Sequence, residues 1–400
     1  MTLRKPLRIA RAVTAFTAIA VTAACTSGAS TAQVKPGGRS FTVAAAGDVL
    51  IHPELVDQAA KDAKETGEGE AGLDFGPLLA GIKPVISKAD LAICHMETPV
   101  GKPRGPFEGY PEFLVPPQIL TALKNVGYDT CSTASNHTYD HGLGAVRRTL
   151  NAMDKAGLGH TGSARTPKEA EQVNIREVNG VKVAHLSFSW MSFLNPTPDK
   201  EKWAFNRIDT DAIKKAEARA RDKGAEVVIL SVHWGLEHYN EPSAPQLELA
   251  ERLTKETGID LVIGHHAHVV QPIQKVNGTW IAYSLGNQVA RHSSPTGLTE
   301  EGAIGWFEFR ETTDGWDVSA RYATTLMDIP PEVETGEKPP AGAVEDHRLV
   351  DVRRALETPD DLSEERLARY RLAADRTRGF LYNRGTPGGD GLKELTLERD

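Results

Sequence analysis

The stretch Leu261–His268, LVIGHHAH, joins a short apolar run directly to three histidines. A short run rich in branched apolar residues predicts a buried strand. In open α/β sheets, ligands bind beside the carboxyl ends of the strands. The stretch therefore predicts a strand whose end presents imidazole groups to a ligand, and its His-x-His spacing is the strongest single signal in the sequence.

Four other places along the chain repeat this arrangement. Each has an ordinary structural explanation when taken alone: Gly47-Asp48 can form a turn, Asn136 or Asp140 can cap a helix, and a single histidine is commonly a core or surface residue. Taken together, these clusters predict one functional site along a single edge of the sheet. The five clusters are Asp48 and His52; His95 and Glu97; Asn136, His137, Asp140 and His141; His233, Glu237 and His238; and His265, His266 and His268.

These clusters hold nine of the 13 histidines, in the order carboxylate, carboxylate, Asn-His, His, His-x-His that two-metal hydrolases use. Imidazole and carboxylate together suit Zn, Mn or Fe. A bridging carboxylate can hold two ions about 3.5–4 Å apart, and an unligated imidazole can protonate a leaving group. The sequence predicts a site for one or two divalent ions, and Asn287, after a further apolar run, can line the same edge.

Helical patterns lie between several of the apolar runs, and this alternation predicts an α/β fold. Two late runs flanking Thr313-Asp314-Gly315 predict a β-hairpin. The predicted strands are Ser40–Ala46, Leu91–Cys94, Thr130–Thr133, Val181–Ser187, Val227–Val232, Leu261–Ile263, Trp280–Tyr283, Ala303–Arg310 and Trp316–Thr325; the predicted helices are Pro117–Asn125, Leu143–Ala156, Thr210–Lys223 and Pro245–Thr257.

Residues 1–24 have the pattern of an export signal: basic residues precede the uncharged run Ala12–Ala24, which is too short to span a bilayer comfortably. Small residues before Cys25 resemble a lipoprotein cleavage site, with Thr22 an unusual residue for it. We expect lipidation of Cys25 and anchoring on the outer face of the bacterial cytoplasmic membrane. Ordinary cleavage and secretion is the alternative.

The mature chain divides by composition into a tether (25–39), a main domain (40–329), a linker rich in Pro, Gly and Glu (330–343) and a C-terminal helical extension (344–400). We expect the helix Leu362–Tyr382 to pack on the main domain. Its predicted apolar stripe comprises Leu367, Tyr370, Leu372, Phe380 and Leu381.

The composition is that of a globular protein, with 40% hydrophobic and 25% charged residues. The net charge of −8 and the lack of clustered Lys and Arg exclude a nucleic-acid partner. Cys94 and Cys131 lie in apolar runs, so we expect separate buried side chains. A disulfide is permitted outside the cytoplasm, but two cysteines do not establish one.

Six blocks of the sequence resemble the CapA, or poly-γ-glutamate capsule synthesis, family: GDVLIH, HMETPV, ASNHTYDHG, SVHWGLEH, IGHHAHVVQPI and YSLGN. They run from about Phe41 to Met327. This family is placed in the calcineurin-like metallophosphatase superfamily. The resemblance implies an αββα sandwich of two mixed sheets with flanking helices, and a site along one sheet edge.

The resemblance also implies a role for individual residues. His137 matches the catalytic histidine, and Glu97 stands where the superfamily has its bridging aspartate. The implied metal ligands are Asp48, Glu97, Asn136, His233, His266 and His268, with His52, His95, Asp140, Glu237 and Asn287 as accessory candidates.

Two positions depart from the family pattern. Leu50 stands where metallophosphatases have a ligating histidine, and His52 can replace it only if the loop turns back. His95 occupies a position that is usually Asn in the family, where it can add a ligand or simply fill the space. We also expect that His265, the extra histidine of its block, can face away from the site.

The resemblance implies a surface protein that acts in the synthesis, export or attachment of an anionic polymer, with that polymer or its synthesis machinery as the partner. A metal-dependent hydrolase and a non-catalytic accessory protein with a degenerate metal site are both open, as is a peptide or small-molecule hydrolase on the same fold. Lys102, Arg104 and Arg291 are candidate substrate-binding charges, although we expect each to be solvated.

Overall fold

The computed structural model describes residues 37–190, 194–292, 296–332, 342–384 and 391–397, with the single positions 2, 35 and 340. The expected export signal (apart from position 2), Cys25, most of the tether and most of the linker lie outside the described residues. Within them, no helix combines the length and the apolar character needed to cross a bilayer.

The described strands form two mixed sheets. Most of these strands coincide with the apolar runs of the sequence. The strands are β1 (Ser40–Val49), β2 (Leu91–Met96), β3 (Thr130–Ser132), β4 (Gly159–Thr161), β5 (Asn174–Val178), β6 (Val181–Ser189), β7 (Val227–His233), β8 (Leu261–His265), β9 (Ile273–Val276), β10 (Thr279–Ala282), β11 (Asn287–Val289), β12 (Glu301–Glu311), β13 (Trp316–Asp328), β14 (Arg348–Asp351) and β15 (Lys393–Glu394).

The α-helices mostly connect consecutive parallel strands, because parallel strands need a crossover connection. Short 3₁₀ turns supplement them. The helices are α1 (Pro53–Thr66), α2 (Gly76–Leu79), α3 (Lys83–Ile86), α4 (Gln118–Val126), α5 (Gly142–Ala156), α6 (Pro167–Ala170), α7 (Thr210–Asp222), α8 (Ala244–Glu256), α9 (Val352–Leu356) and α10 (Glu364–Tyr382).

The first sheet has the order β14-β13-β12-β1-β2-β3-β4, with β11 paired to β1 and β15 to β13. The second has the order β5-β6-β7-β8-β10-β9. Parallel pairing joins β1, β2, β3 and β4 in one sheet and β6, β7 and β8 in the other. The carboxyl ends of the strands that carry the polar clusters therefore meet along one edge of each sheet.

Alternate residues of β1 belong to different hydrophobic cores. Val43 and Ala45 join the core between the two sheets, whereas Ala44 and Ala46 join the core beneath helices such as α4 and α5. A third core lies between the second sheet and α7 and α8. Because successive strand side chains point to opposite faces, these three cores separate four layers, which is the αββα sandwich that the resemblance implies.

The predicted strands and helices are all observed, including the hairpin of β12 and β13. The C-terminal helix is observed as α10, but its predicted stripe is partly wrong: Leu372 is 47% exposed, and Ala373 and Thr377 are buried instead. The helix packs through Tyr370 and Leu381.

The expectation of two separate cysteine side chains is also wrong. Cys94 and Cys131 are fully buried, and they form a disulfide between directly paired positions of β2 and β3. The sequence does not reveal the pairing because it does not give the register of two strands that are 37 residues apart.

Candidate metal centre

Two rows of side chains face each other where the sheets meet. In the first sheet, strand register places Asp48 beside His95 and His95 beside Ser132. In the second, it places His233 beside His265. The rows touch: His265 Nδ1 lies 3.1 Å from Asp48 Oδ1, and His95 Nε2 lies 3.0 Å from His233 Nδ1.

Glu97 follows β2 and is only 1% exposed, yet among the described residues neither of its carboxylate oxygens has a hydrogen-bond partner. Its Oε1 lies 3.7 Å from His268 Nε2 and 4.0 Å from His233 Nε2. Burial raises the pKa of Glu97 well above its usual range, while the charge on His268 works in the opposite direction. A buried carboxylate is stable only with a proton or a cation beside it, and here two imidazoles already converge on it.

Asp48 is fully buried but well provided with donors. Its Oδ2 accepts from the backbone N–H of His266 at 3.1 Å and lies 3.2 Å from His268 Nδ1. Burial would raise the pKa of Asp48, but the hydrogen bonds from His265 and His268 lower it well below the usual value. Asp48 is therefore an anion in this environment.

His268 lies between the two carboxylates. Burial opposes its positive charge, but the charges of Glu97 and Asp48 raise its pKa to about 10. Ligand atoms of Asp48, Glu97 and His268 all lie within 4.8 Å of one another. These three groups fit a divalent cation, which would displace the proton that His268 and Glu97 otherwise share.

A second set of candidate ligands adjoins the first. His233 Nε2 lies 3.0 Å from Asn136 Oδ1, and the ring centroids of His233 and His266 are 4.6 Å apart. The Nδ1 atom of His266 is buried without a partner. With Glu97 between them, the two sets provide the mixture of imidazole, amide and carboxylate groups that binds Zn, Mn or Fe.

The backbone of the His-x-His segment adopts an uncommon conformation. His266 and His268 have φ angles of +93° and +55°. Non-glycine residues avoid this region, and those that adopt it cluster at functional sites. The bend turns the backbone N–H of His266 towards Asp48 and brings His268 against both carboxylates.

His137 forms a dyad with Asp140. Its Nδ1 lies 2.7 Å from Asp140 Oδ2, and this oxygen also accepts from the backbone N–H of Phe113 at 3.0 Å. Asp140 is fully buried and fixes the tautomer of the ring, which leaves Nε2 as the atom that can exchange a proton with a substrate. Asn195 Nδ2 lies 3.4 Å from the other oxygen of Asp140.

Two accessory candidates support the ligands. Asn287 Oδ1 lies 3.0 Å from His268 Nδ1, so this side chain helps to orient His268. Glu237 is exposed, and its carboxylate can approach the ligand atoms of His266 and His268 to within 4.8 Å.

His95 and His265 are not arranged as two ligands of the same ion. Together with Asp48 they have ligand atoms within 4.8 Å of one another. However, the two rings stack at 4.0 Å with planes only 17° apart. The lone pairs of an imidazole lie in the plane of its ring. Two stacked rings therefore hold their lone pairs in nearly parallel planes, and these do not converge on one ion. His265 does not face away as expected: it holds Asp48.

Leu50 and His52 do not supply the expected extra ligand. Leu50 is 3% exposed and belongs to the hydrophobic core beneath the helices. His52 Nδ1 faces the carbonyl oxygen of Leu50 at 3.0 Å, and its ring lies against Phe113 and His292. The loop therefore does not return His52 to the position that Leu50 vacates.

The sequence interpretation missed two residues near this edge. Ser132 is found only when strand register is known, and the ring centroid of His292 lies 5.3 Å from that of His268. Arg291 was expected to be solvated, but it is only 6% exposed, with Glu332 as its acidic partner at 3.1 Å. Lys102 and Arg104 are exposed, as expected.

Comparison with known proteins assigns the chain to a family. The profile described as "Bacterial capsule synthesis protein PGA_cap" matches residues 42–292, which include every candidate ligand. The chain belongs to this capsule synthesis family. The match ends before β12, so the family profile covers the metal centre but leaves out the hairpin and the C-terminal helix.

Two curated relatives in the family are named for capsule synthesis. The chain is 29% identical to the capsule biosynthesis protein CapA of Bacillus anthracis over 237 residues, 58% of this chain and 54% of that protein. It is 29% identical to the PGA biosynthesis protein CapA of Bacillus subtilis over 251 residues, 62% of this chain and 64% of that protein. The matched regions thus span between about half and two thirds of these relatives.

More distant similarities have other names. A probable polyglutamine synthesis accessory protein of Mycobacterium tuberculosis is 27% identical over 191 residues, 43% of this chain and 48% of that protein. The solved calcineurin-like phosphoesterase YfkN of B. subtilis aligns with a TM-score of 0.41 and 15% identity, over 85% of this chain and 99% of that chain. This structural likeness is weak, so the description of the fold rests on the observed sheets.

Proposed function

We propose that this chain is a metal-dependent hydrolase of the capsule synthesis family, acting on a phosphoester or on an amide of an anionic surface polymer or of the cell wall. The observation that carries the proposal is Glu97, a buried carboxylate whose oxygens lack hydrogen-bond partners and face the imidazoles of His233 and His268. A cation between these groups would provide the missing partner.

Glu97 would serve both halves of the centre. Asp48 and His268 would complete one half, and Asn136, His233 and His266 the other. A bound divalent ion supplies Lewis-acid activation of the scissile group and of water. The candidate ligands and the accessory Asn287 are supported by hydrogen bonds from neighbouring residues, as metal sites generally require.

His137 would exchange the proton. Asp140 holds its Nδ1, so Nε2 is the position that can donate to a leaving group. The chain carries a net charge of −8, and an anionic polymer would be repelled without a local cation. The metal centre would therefore bind the substrate as well as activate it.

Metal content is the first test. The full chain, purified without chelator or affinity metal, is expected to contain Zn, Mn or Fe by elemental analysis, at one or two ions per chain. It is also expected to hydrolyse a member of a panel of phosphoesters and γ-glutamyl amides in a metal-dependent manner. A protein that stays free of metal after incubation with excess ions would overturn the proposal.

A non-catalytic accessory role is the second candidate, and the position of Leu50 favours it. One expected ligand is replaced by a buried leucine, so one ion position has fewer ligands than the other. In this case the centre would hold a polymer or a membrane partner through a single ion. Binding of one ion per chain without hydrolysis of any substrate in the panel would support this role.

We also propose that the protein is exported and held at the outer face of the cytoplasmic membrane through lipidated Cys25. The basic and apolar pattern of residues 1–24 supports this localisation. Replacement of Cys25 by serine is expected to release the chain from membrane fractions. A Cys25→Ser chain that stays in the membrane fraction would contradict the lipid anchor.

A further inference from the structure

A continuous hydrogen-bonded chain runs inward from the candidate ligand His233. His233 Nδ1 lies 3.0 Å from His95 Nε2, and His95 Nδ1 lies 2.7 Å from Ser132 Oγ. The hydroxyl of Ser132 also reaches the backbone carbonyl of Cys94 at 3.4 Å. His95 and Ser132 are fully buried and His233 is 2% exposed, so water does not compete with these contacts.

The positions in the chain are fixed by strand pairing. His95 and Ser132 are direct neighbours across β2 and β3. They lie immediately after Cys94 and Cys131, which a disulfide joins. The ring of His95 is further held by its stack on His265. The ring therefore has little freedom to turn away from His233.

We propose that His95 and Ser132 are positioning residues that select the tautomer of His233 and hold its ring so that Nε2 faces the metal ion. This inference rests on the proposed metal centre. It also explains why a histidine serves at position 95, where the family pattern has a shorter amide side chain: the imidazole connects His233 to the hydroxyl of Ser132 through its two ring nitrogens.

Only one order of hydrogens is compatible with a bound ion. When Nε2 of His233 gives its lone pair to the metal, Nδ1–H must donate to His95 Nε2. His95 Nδ1–H then donates to Ser132 Oγ, and the hydroxyl of Ser132 donates to the carbonyl of Cys94. Every polar atom of the chain keeps a partner, which a buried site requires.

The opposite order suits the site without an ion. His233 Nε2–H then donates to Asn136 Oδ1, which lies at 3.0 Å. His95 Nε2–H donates to His233, and the hydroxyl of Ser132 donates to His95 Nδ1. Binding of the ion reverses the order of the hydrogen bonds, while Ser132, His95 and His233 together carry the same number of protons before and after.

The facing strand row offers a matched control. Ser189 is fully buried and is the register neighbour of His233 on β6, but its hydroxyl has no hydrogen-bond partner in the described part of the chain. The interior also contains a second His–Ser contact, between His185 Nε2 and Ser231 Oγ at 2.9 Å. No described residue is a hydrogen-bond partner of His185 Nδ1, so this second contact does not continue to a candidate ligand.

The test measures Zn²⁺ affinity by chelator competition, together with the visible absorption of the Co²⁺-loaded full chain, which reports ligand geometry. Ser132→Ala and His95→Phe are expected to weaken Zn²⁺ binding by about 10–100-fold, as loss of partners behind a metal ligand typically does, and to alter the Co²⁺ spectrum. Ser189→Ala and His185→Gln are expected to change neither.

His95→Gln provides a conservative rescue, because its amide oxygen can accept the hydrogen bond from His233 Nδ1. We expect it to regain most of the affinity that His95→Phe loses. Equal Zn²⁺ affinity and equal Co²⁺ spectra for Ser132→Ala and Ser189→Ala would overturn the inference while leaving the metal centre intact. Failure of the unaltered chain to bind either ion would overturn both the centre and the inference.

Discussion

Glu97 and Glu301 are two buried glutamates with opposite surroundings. Glu97 is 1% exposed and has no hydrogen-bond donor within the described ranges, whereas Glu301 is 2% exposed and is bound by two arginines of α10. Arg369 Nη1 lies 2.6 Å from Glu301 Oε1, and Arg376 Nε lies 3.1 Å from Oε2. Both carboxylates have lost their water, but only Glu301 has regained its hydrogen bonds within the protein.

This difference distinguishes a structural ion pair from a candidate metal ligand. The pairing of Glu301 fastens the C-terminal helix to β12, and it is complete without any ligand. The environment of Glu97 is incomplete, and the groups around it are imidazoles and Asp48 rather than arginine or lysine. Unsatisfied buried polar atoms persist where a ligand or ion supplies the partner.

The largest effect is expected from Glu97→Gln. The amide keeps the shape but removes the charge, so we expect metal content to fall to background and any hydrolysis to be lost, a change greater than the about 10–100-fold effect of losing an outer partner. When both chains are free of metal, the thermal stability of the variant is expected to hold or rise, because a buried group that can carry a charge is replaced by a neutral amide. Elemental analysis of the purified chains and calorimetry of their metal-free forms measure the two effects. Retention of stoichiometric metal would remove Glu97 from the centre.

The matched substitution Glu301→Gln is expected to have the opposite pair of effects on metal content and stability. Two guanidinium groups lose their anion, and breaking a buried ion pair costs about 3 kcal/mol when the arginines keep partial contact with water. We expect a lower unfolding temperature with unchanged metal content. A loss of metal together with stability would mean that the two regions are not independent.

Leu50→His tests whether a histidine at this position would act as a metal ligand. Because Leu50 points into the apolar core, the imidazole would be buried without a partner, and we expect a loss of about 2 kcal/mol in the free energy of unfolding. The number of bound ions is expected to stay the same. Leu50→Met, which keeps the volume, serves as the control and should cost less. A gain of one ion per chain in the histidine variant would show that the position still faces the centre.

The smallest effect concerns pH. Burial raises the pKa of Glu97; burial opposes the charge of His268, but the carboxylates around it raise its pKa to about 10. The two groups are 3.7 Å apart and each acts on the pKa of the other, so the pair shares a proton near neutral pH when no ion is bound. An ion must displace this proton, so its affinity should increase as pH rises, by about tenfold per pH unit. Calorimetry of Mn²⁺ binding in buffers of different ionisation enthalpy counts the protons. An affinity independent of pH would contradict this protonation state.

The sequence identifies residues of the candidate site far better when they lie at the ends of strands than when they meet across neighbouring strands. Asp48, Glu97 and His233 are identifiable because each follows a short apolar run, and such runs end at one edge in parallel sheets. Ser132 gives no such signal, since a serine inside a strand is ordinary. Its role depends on its being opposite His95, and strand register is a property of the folded sheet.

The roles of His265 and Leu50 illustrate the same limit. The sequence shows three histidines in succession around Ala267 but not which of them lies next to Asp48, because the uncommon backbone angles of His266 and His268 redirect the chain. Leu50 occupies a ligand position in the alignment of motifs, yet it lies just beyond a shift of strand register at the end of β1 and packs into the same core as its neighbours Val49 and Ile51.

The disulfide between Cys94 and Cys131 ties the candidate site to the compartment in which the chain folds. The two sulfurs lie in the core beneath the helices, whereas His95 and Ser132, the next residues of the same two strands, point to the other face of the sheet. The covalent bond therefore lies behind the site and fixes the register that sets His95 opposite Ser132. An oxidising compartment adds this bond to the strand pairing. In a reducing compartment, the same register would depend on hydrogen bonds and packing alone.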